Sequence, residues 1–189
     1  MQQLSIDVAL VHHPVVNKNG ETIGSAITNL DLHDIARACR TFGVSNYWVI
    51  TPFSEQKVFA ETIVSHWLEG YGATANPDRG NALSLVRVCD NLDEVLASIL
   101  DKWGEDLLVL TTCAKPQDNT LGYSEVRQKI QDGAKVLLVF GTAWGLAPEV
   151  MDQASATLPP INGAGDYNHL SVRSAVSIVL DRLLGRPIE

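Results

Sequence analysis

Short apolar runs, each followed by a stretch with helical spacing, recur along the whole of this chain and leave it few folds. Residues 107–112 and 136–140 are too short for helices and too uniformly apolar for a strand with one wet face, so they predict strands covered on both sides. Residues 6–11, 46–50, 85–88 and 156–158 complete the predicted strands, and helical segments alternate with them. A strand, a helix and a strand in that order form a right-handed parallel crossover. The expectation is therefore an α/β fold, a mostly parallel sheet flanked by helices. The chain has 189 residues, 46% of them hydrophobic, enough for one substantial core, and a single domain over residues 1–189 follows.

Several helices carry their own start and stop signals. In residues 28–43, Asp31 is the expected N-cap and Asp34 suits the positive end of the helix dipole. Ile35, Ala38, Cys39 and Phe42 form the buried stripe, and Gly43 ends the helix. Arg37 and Arg40 fall off that stripe and make one face cationic. Ser54 is the expected cap of a helix running through Phe59, Ile63 and Trp67, residues 15–22 read as a loop, and residues 76–81 read as a turn. The run at 107–112 is expected in the middle of the sheet. Near the carboxyl end, Pro159, Pro160, Gly163 and Gly165 forbid regular structure, after which Val172, Ala175, Val176, Val179, Leu180 and Leu183 recur at helical spacing up to Gly185. Ile178 and Leu184 lie off that stripe and suggest a second contact, such as another subunit.

Composition narrows the function. A formal net charge of -8 argues against indiscriminate nucleic-acid binding, which needs Lys and Arg on the contacting face, but leaves room for a local basic patch. No apolar run approaches the roughly 20 residues that span a bilayer, and the amino terminus lacks the basic flank and apolar region of a signal peptide, so a cytoplasmic protein is expected. Cys39, Cys89 and Cys113 are scattered and predict free thiols. His12 and His13 are adjacent on an extended segment, point to opposite faces and make a poor chelate, so no metal is expected.

In open parallel sheets ligands collect beyond the carboxyl ends of the strands. The loops after residues 112, 140 and 158 qualify. Gly141 and Gly145 allow close backbone approach, yet neither a phosphate-binding Gly-x-x-x-x-Gly-Lys nor a dinucleotide-binding Gly-x-Gly-x-x-Gly is present. A neutral loop with Thr142 and Trp144 suits a ligand held by backbone hydrogen bonds and apolar packing, such as an adenosyl group. Asp166, Tyr167, Asn168 and His169 form a dense polar cluster ahead of the last helix. No nucleophile elbow or zinc-protease motif supports hydrolase chemistry.

Three stretches carry a resemblance: Thr28-Asn-Leu-Asp-Leu-His-Asp-Ile-Ala-Arg37 with Phe42-Gly43, Leu137-Leu-Val-Phe-Gly-Thr-Ala-Trp-Gly-Leu-Ala-Pro-Glu-Val150, and Gly163-Ala-Gly-Asp-Tyr-Asn-His-Leu-Ser-Val-Arg-Ser-Ala175. With Val8-Ala-Leu-Val-His-His-Pro14 they extend over essentially the whole chain. The sequence resembles the SPOUT superfamily of S-adenosylmethionine-dependent RNA methyltransferases, in particular its little-characterised bacterial RNA methyltransferase-domain branch. The resemblance implies a carboxyl-terminal trefoil knot holding bent S-adenosylmethionine, lined by Thr112, Gly141, Thr142, Gly145, Leu158, Ile161, Asn168 and Leu170. It also implies a homodimer that packs the first and last helices across a two-fold axis, and a structured RNA substrate such as tRNA or rRNA, met by Lys18, Arg37, Arg40 and Arg173.

By the same resemblance, Arg37 matches the arginine that assists ribose 2′-hydroxyl methylation in one SPOUT branch. Ala143 stands where that branch has a glutamate, and His169 where it has an asparagine. These departures leave both a ribose hydroxyl and a base nitrogen open as the acceptor, with Asp166 or His169 taking the proton. They also leave open a non-catalytic module that binds cofactor or RNA.

Overall fold

The computed structural model describes residues 5–186. In chain order its elements are β1 (Ile6–Val11), β2 (Val15–Val16), β3 (Thr22–Ile23), α1 (Asn29–Phe42), β4 (Asn46–Ile50), α2 (Ser54–Leu68), α3 (Tyr71–Ala75) and α4 (Pro77–Leu83). There follow β5 (Val86–Cys89), α5 (Leu92–Trp103), β6 (Leu107–Thr112), α6 (Tyr123–Gln131), β7 (Lys135–Gly141), α7 (Pro148–Met151), β8 (Ala156–Leu158) and α8 (Val172–Leu184). Six strands form one parallel sheet in the order β5-β4-β1-β7-β6-β8.

Parity along each strand decides which helix layer a side chain meets. Ile6, Val8 and Leu10 of β1, with Val136, Leu138 and Phe140 of β7, pack on one face against α1, α4, α6 and α8. Ala9, Val11, Leu137 and Val139 turn to the other face, where Leu92, Val95 and Ile99 of α5 and Val150 of α7 cover them. Both faces are dry, as the uninterrupted apolar runs predict.

The structure corrects several local expectations. β6 lies one strand in from the edge, with β1 and β7 central, because coverage of both faces reports helix layers and not lateral position. The N-cap of α1 is Thr28, whose Oγ1 accepts from Asp31 N at 3.1 Å and donates to Asp31 Oδ2 at 2.6 Å. Asp31 therefore sits in the first turn. α2 starts at Ser54 behind Phe53, with no side-chain cap. The expected turn at 76–81 belongs mostly to α4, since Asn76 Oδ1 accepts from Arg79 N and Pro77 fits the first helical position. The 15–22 loop contains the β2–β3 hairpin, whose turn is built by Asn17 Oδ1 accepting from the backbone N–H groups of Asn19 and Glu21. Leu184 packs against the first core, so of the two off-stripe residues only Ile178 is left for a further contact. Among the described residues no helix is long and apolar enough to cross a membrane.

Candidate functional site

The chain runs outward from β1 through β4 to β5, then crosses to β6 and returns to β7 beside β1. β1 and β7 thus flank the point where strand order reverses, and in open parallel sheets ligands bind at such a point, beyond the carboxyl ends of the strands. The loops leaving these two strands are joined: Val16 N donates to Gly145 O at 3.0 Å, and Trp144 N donates to Val16 O at 3.1 Å. This junction forces an unusual backbone. Ala143 takes φ 51, a left-handed conformation that costs a side-chain-bearing residue on the order of 1 kcal/mol.

The loops after β6 and β8 are tied to each other in the same way. Thr112 pairs with Leu158 across the strand ends, Asn168 Nδ2 donates to Ala114 O at 2.6 Å, and Tyr123 Oη donates to Pro159 O at 3.1 Å. Burial pushes the Tyr123 phenol up against the opposing charge of Arg182, which keeps it a donor. Thr112, Gly141, Thr142, Gly145, Leu158, Ile161, Asn168 and Leu170 all lie at this carboxyl edge or on its loops.

The chemistry of these loops fits a neutral nucleoside. Residues 141–147 and 158–165 contain no charged side chain. Among the described residues the backbone from Ile161 to Gly165 has no protein hydrogen-bond partner, and a Cβ at Gly163 or Gly165 would meet nothing within 4 Å. Such open backbone can read an adenine edge. Leu170, 44% exposed, and half-buried Ile161 add apolar surface.

One contributor was missed in the sequence. His12, fully buried at the end of β1, shares a 3.0 Å hydrogen bond through Nδ1 with Ser25 Oγ. Ser25 Oγ in turn bonds Thr142 Oγ1, which donates to Val11 O at 3.0 Å. The first residue of the β7 loop is thereby anchored to β1. Among the described residues His12 Nε2 has no hydrogen-bond partner, and burial pushes the imidazole down to about 4 despite the nearby charge of Asp31, so the ring is neutral. The available signal was a histidine ending an otherwise apolar strand.

The charged candidates are spread more widely. Asp166 and His169 are exposed on the loop before α8, with the His169 ring 5.4 Å from that of Tyr167. Arg37 is exposed on the outer face of α1, and within the chain no hydrogen bond or ion pair among the described residues links it to either group. Lys18 stands exposed at the β2–β3 turn. Arg40 donates to Asn81 O and Ser84 Oγ at the end of α4. Arg173 bridges α8 to α1, with Nη1 2.9 Å from Asp31 Oδ1 and Nε 3.3 Å from Asp34 Oδ2. Among the described residues no cluster of three or more His, Cys, Asp or Glu is arranged to hold a metal ion.

Known structures share this architecture. The TrmH/SpoU tRNA modifying enzyme of A. aeolicus superposes with a TM-score of 0.59 at 17% identity, covering 97% of this chain and 75% of that one. The SpoU methyltransferase AviRb from Streptomyces viridochromogenes, in complex with AdoMet, superposes at 0.63 with 13% identity, covering 97% and 58%. The fold class is that of the SPOUT methyltransferases. Residues 5–185 match a family described as SAM-dependent RNA methyltransferase, and the chain belongs to that family. The description of that family names S-adenosylmethionine as the methyl donor and RNA as the acceptor.

Two relatives frame what can be carried further. A protein of Oleidesulfovibrio alaskensis named tRNA (guanine-N(1)-)-methyltransferase is 44% identical over 177 residues, 94% of this chain but 41% of the relative. An uncharacterized protein of Aquifex aeolicus is 40% identical over 183 residues, 96% of this chain and 89% of that one. The chain therefore spans less than half of the named relative.

Proposed function

We propose that this chain methylates tRNA in the cytoplasm as a homodimer of single-domain subunits, each with its carboxyl-terminal segment knotted around the cofactor. The observation that carries this reading is the pair of uncharged loops at the carboxyl edge of the sheet, 141–147 and 158–165, with backbone from Ile161 to Gly165 that is unpartnered among the described residues, beside the polar residues 166–169. The ties from Asn168 to Ala114 and from Tyr123 to Pro159, which bind the last loop to the loop after β6, support the knot. The name of the Oleidesulfovibrio alaskensis relative supports tRNA.

Bound S-adenosylmethionine supplies a methyl group on a positively charged sulfur, already a good leaving group. The chain's work is then mostly alignment. Thr112, Gly141, Thr142, Gly145, Leu158, Ile161, Asn168 and Leu170 hold and orient the cofactor. Asp166 or His169 accepts the proton that the acceptor loses as its bond to carbon forms, a contribution of about 10² to 10⁴ in rate. Arg37 of one subunit serves the site of its partner, where its positive charge lowers the acceptor's pKa. Among the described residues no hydrogen bond or ion pair joins Arg37 to residues 166–169 within one chain, and this favours a composite site. Lys18, Arg40 and Arg173 meet phosphates; the two arginines do so while also bracing α4 and α1.

The test is methyl transfer to unfractionated tRNA, followed by mass spectrometry of its nucleosides. Wild type introduces one methylated nucleoside, whose identity separates ribose from base. Arg37→Ala lowers kcat on the order of 10²-fold with cofactor binding retained, and so does whichever of Asp166→Ala and His169→Ala removes the proton acceptor. No incorporation into tRNA together with no calorimetric binding of S-adenosylmethionine sinks the reading.

A further inference from the structure

A groove of ≈ 640 Å³ lies between α1, α2 and α4. Its wall is Trp67. The Arg79 guanidinium lies 4.6 Å from the centroid of that ring, and the rings of His33 and His66 meet it edge-on at 5.5 and 5.2 Å. Arg37 lines the same groove, and Phe59, 40% exposed, forms part of its rim.

The electrostatics are the reverse of the chain's. Against a net charge of -8, the groove presents Arg37 and Arg79, and its one acid, Asp34, is paired with Arg173. Burial and then the charges of Arg79 and Arg37 push the His33 imidazole down, outweighing the help it receives from Asp34. His33 Nδ1 is buried and has no hydrogen-bond partner among the described residues. A ligand suited to this site brings negative charge for the guanidinium, a planar face for the aromatic rings and a polar group for the imidazole.

An apolar protein partner fails on the first count, because it would bury two arginines without compensation. A second copy docked groove to groove would set these same arginines against each other. We infer that the groove between α1, α2 and α4 holds a nucleotide of the RNA substrate, its base against the exposed ring of Phe59 and its phosphate on Arg79, whose guanidinium is backed by Trp67. The inference rests on the methyltransferase reading and deepens it, since the groove leads to Arg37. Base stacking on exposed aromatic rings beside cationic groups is how single-stranded nucleic acid is held without a sequence code.

The experiment measures binding of unfractionated tRNA across a salt series for wild type, Arg79→Gln, Phe59→Ala and, as a charge control on α6, Lys129→Gln. Cofactor affinity and sedimentation are followed in parallel. Arg79→Gln weakens binding about tenfold and lowers the slope of log affinity against log salt by about 1, the mark of a lost phosphate contact. Phe59→Ala weakens binding about tenfold at an unchanged slope, the mark of lost stacking. Lys129→Gln matches wild type, and all four proteins bind S-adenosylmethionine alike. If wild type binds tRNA and both groove variants bind it equally well, the groove assignment is wrong and the methyltransferase reading stands. Dimer dissociation in the groove variants with tRNA affinity intact assigns the groove to a second copy and overturns the proposal. Wild type that binds cofactor but no RNA removes both.

Discussion

The two ends of β1 each bury one titratable side chain, and they treat it in opposite ways. Asp7, 1% exposed at the amino end, accepts from Asn46 N at 2.9 Å, from Asn46 Nδ2 at 3.1 and 3.2 Å and from Trp48 Nε1 at 2.7 Å. His12, just past the carboxyl end, has one nitrogen bonded to Ser25 and the other without a partner among the described residues. Around Asp7 the strand ends are stitched shut. At the His12 end the strands open into loops, on which Trp144, Tyr167 and Leu170 stand exposed. A polar group that is fully satisfied contributes to stability, whereas an open edge with unpartnered groups gives up stability and offers binding.

The contrast breaks first at Asp7. Asp7→Ala removes the acceptor of three donors, of which the Trp48 indole and the Asn46 amide have no other side-chain partner among the described residues, and lowers unfolding free energy by about 3 kcal/mol in urea titrations. The protein that remains folded binds S-adenosylmethionine as wild type does. Loss of cofactor affinity at unchanged stability would reverse the roles assigned to the two ends.

Next in size is a pH effect at His12. Its folded pKa of about 4 lies below the 6.5 of the free side chain, chiefly through burial, so the unfolded chain binds the extra proton between those values. Stability therefore rises with pH across that window and is lost as pH falls through it. Between pH 7 and pH 5 the loss is about 2 kcal/mol, and His12→Asn removes that part of the slope. His33 contributes with the same sign, its imidazole also pushed down by burial. Asp7 runs the other way: burial raises its pKa above 3.8, so its ionisation costs stability at neutral pH and that cost fades only in acid. A wild-type unfolding free energy that is flat from pH 7 to pH 5 would show His12 to be hydrated in the fold.

How much of this was legible in the sequence follows from the range of the interactions. Element type was readable because β1 and β7 carry their burial pattern locally, and Asn91, which caps α5 by accepting from Glu94 N, announces itself within three residues. The SPOUT class was readable because its motifs are contiguous. What lay hidden joins distant residues. Nothing near Thr142 marks Ser25, 117 positions away, as its partner, and nothing near Arg173 marks Asp31, 142 positions away. The displaced cap of α1 is a milder case: Thr28 and Asp31 are both good capping residues, and only the backbone, extended at Thr28, decides between them. The position of β6, one strand in from the edge, is set by which strands pair, and no apolar run encodes that order. The groove at Trp67 draws on α1, α2 and α4, so no single helix foretells it.

The smallest effect probes the open end most closely. Ser25 Oγ is the one link between His12 and Thr142, and both neighbours keep other anchors: Thr142 its bond to Val11 O, and His12 its backbone bond from N to Ile50 O at 2.9 Å. Ser25→Ala should therefore lower stability by only about 1 kcal/mol, well below the effect at Asp7. Its larger consequence falls on the loop that Thr142 begins, because an unanchored loop must be ordered when cofactor binds. S-adenosylmethionine affinity then drops about threefold, a few tenths of a kcal/mol, in calorimetry. Ser25→Thr, which keeps the hydroxyl, restores it. The closed end cannot produce this pattern, since Asn46 and Trp48 contribute nothing to the loops. Should Ser25→Ala cost as much stability as Asp7→Ala while cofactor affinity stays intact, the carboxyl end of β1 is as purely structural as the amino end.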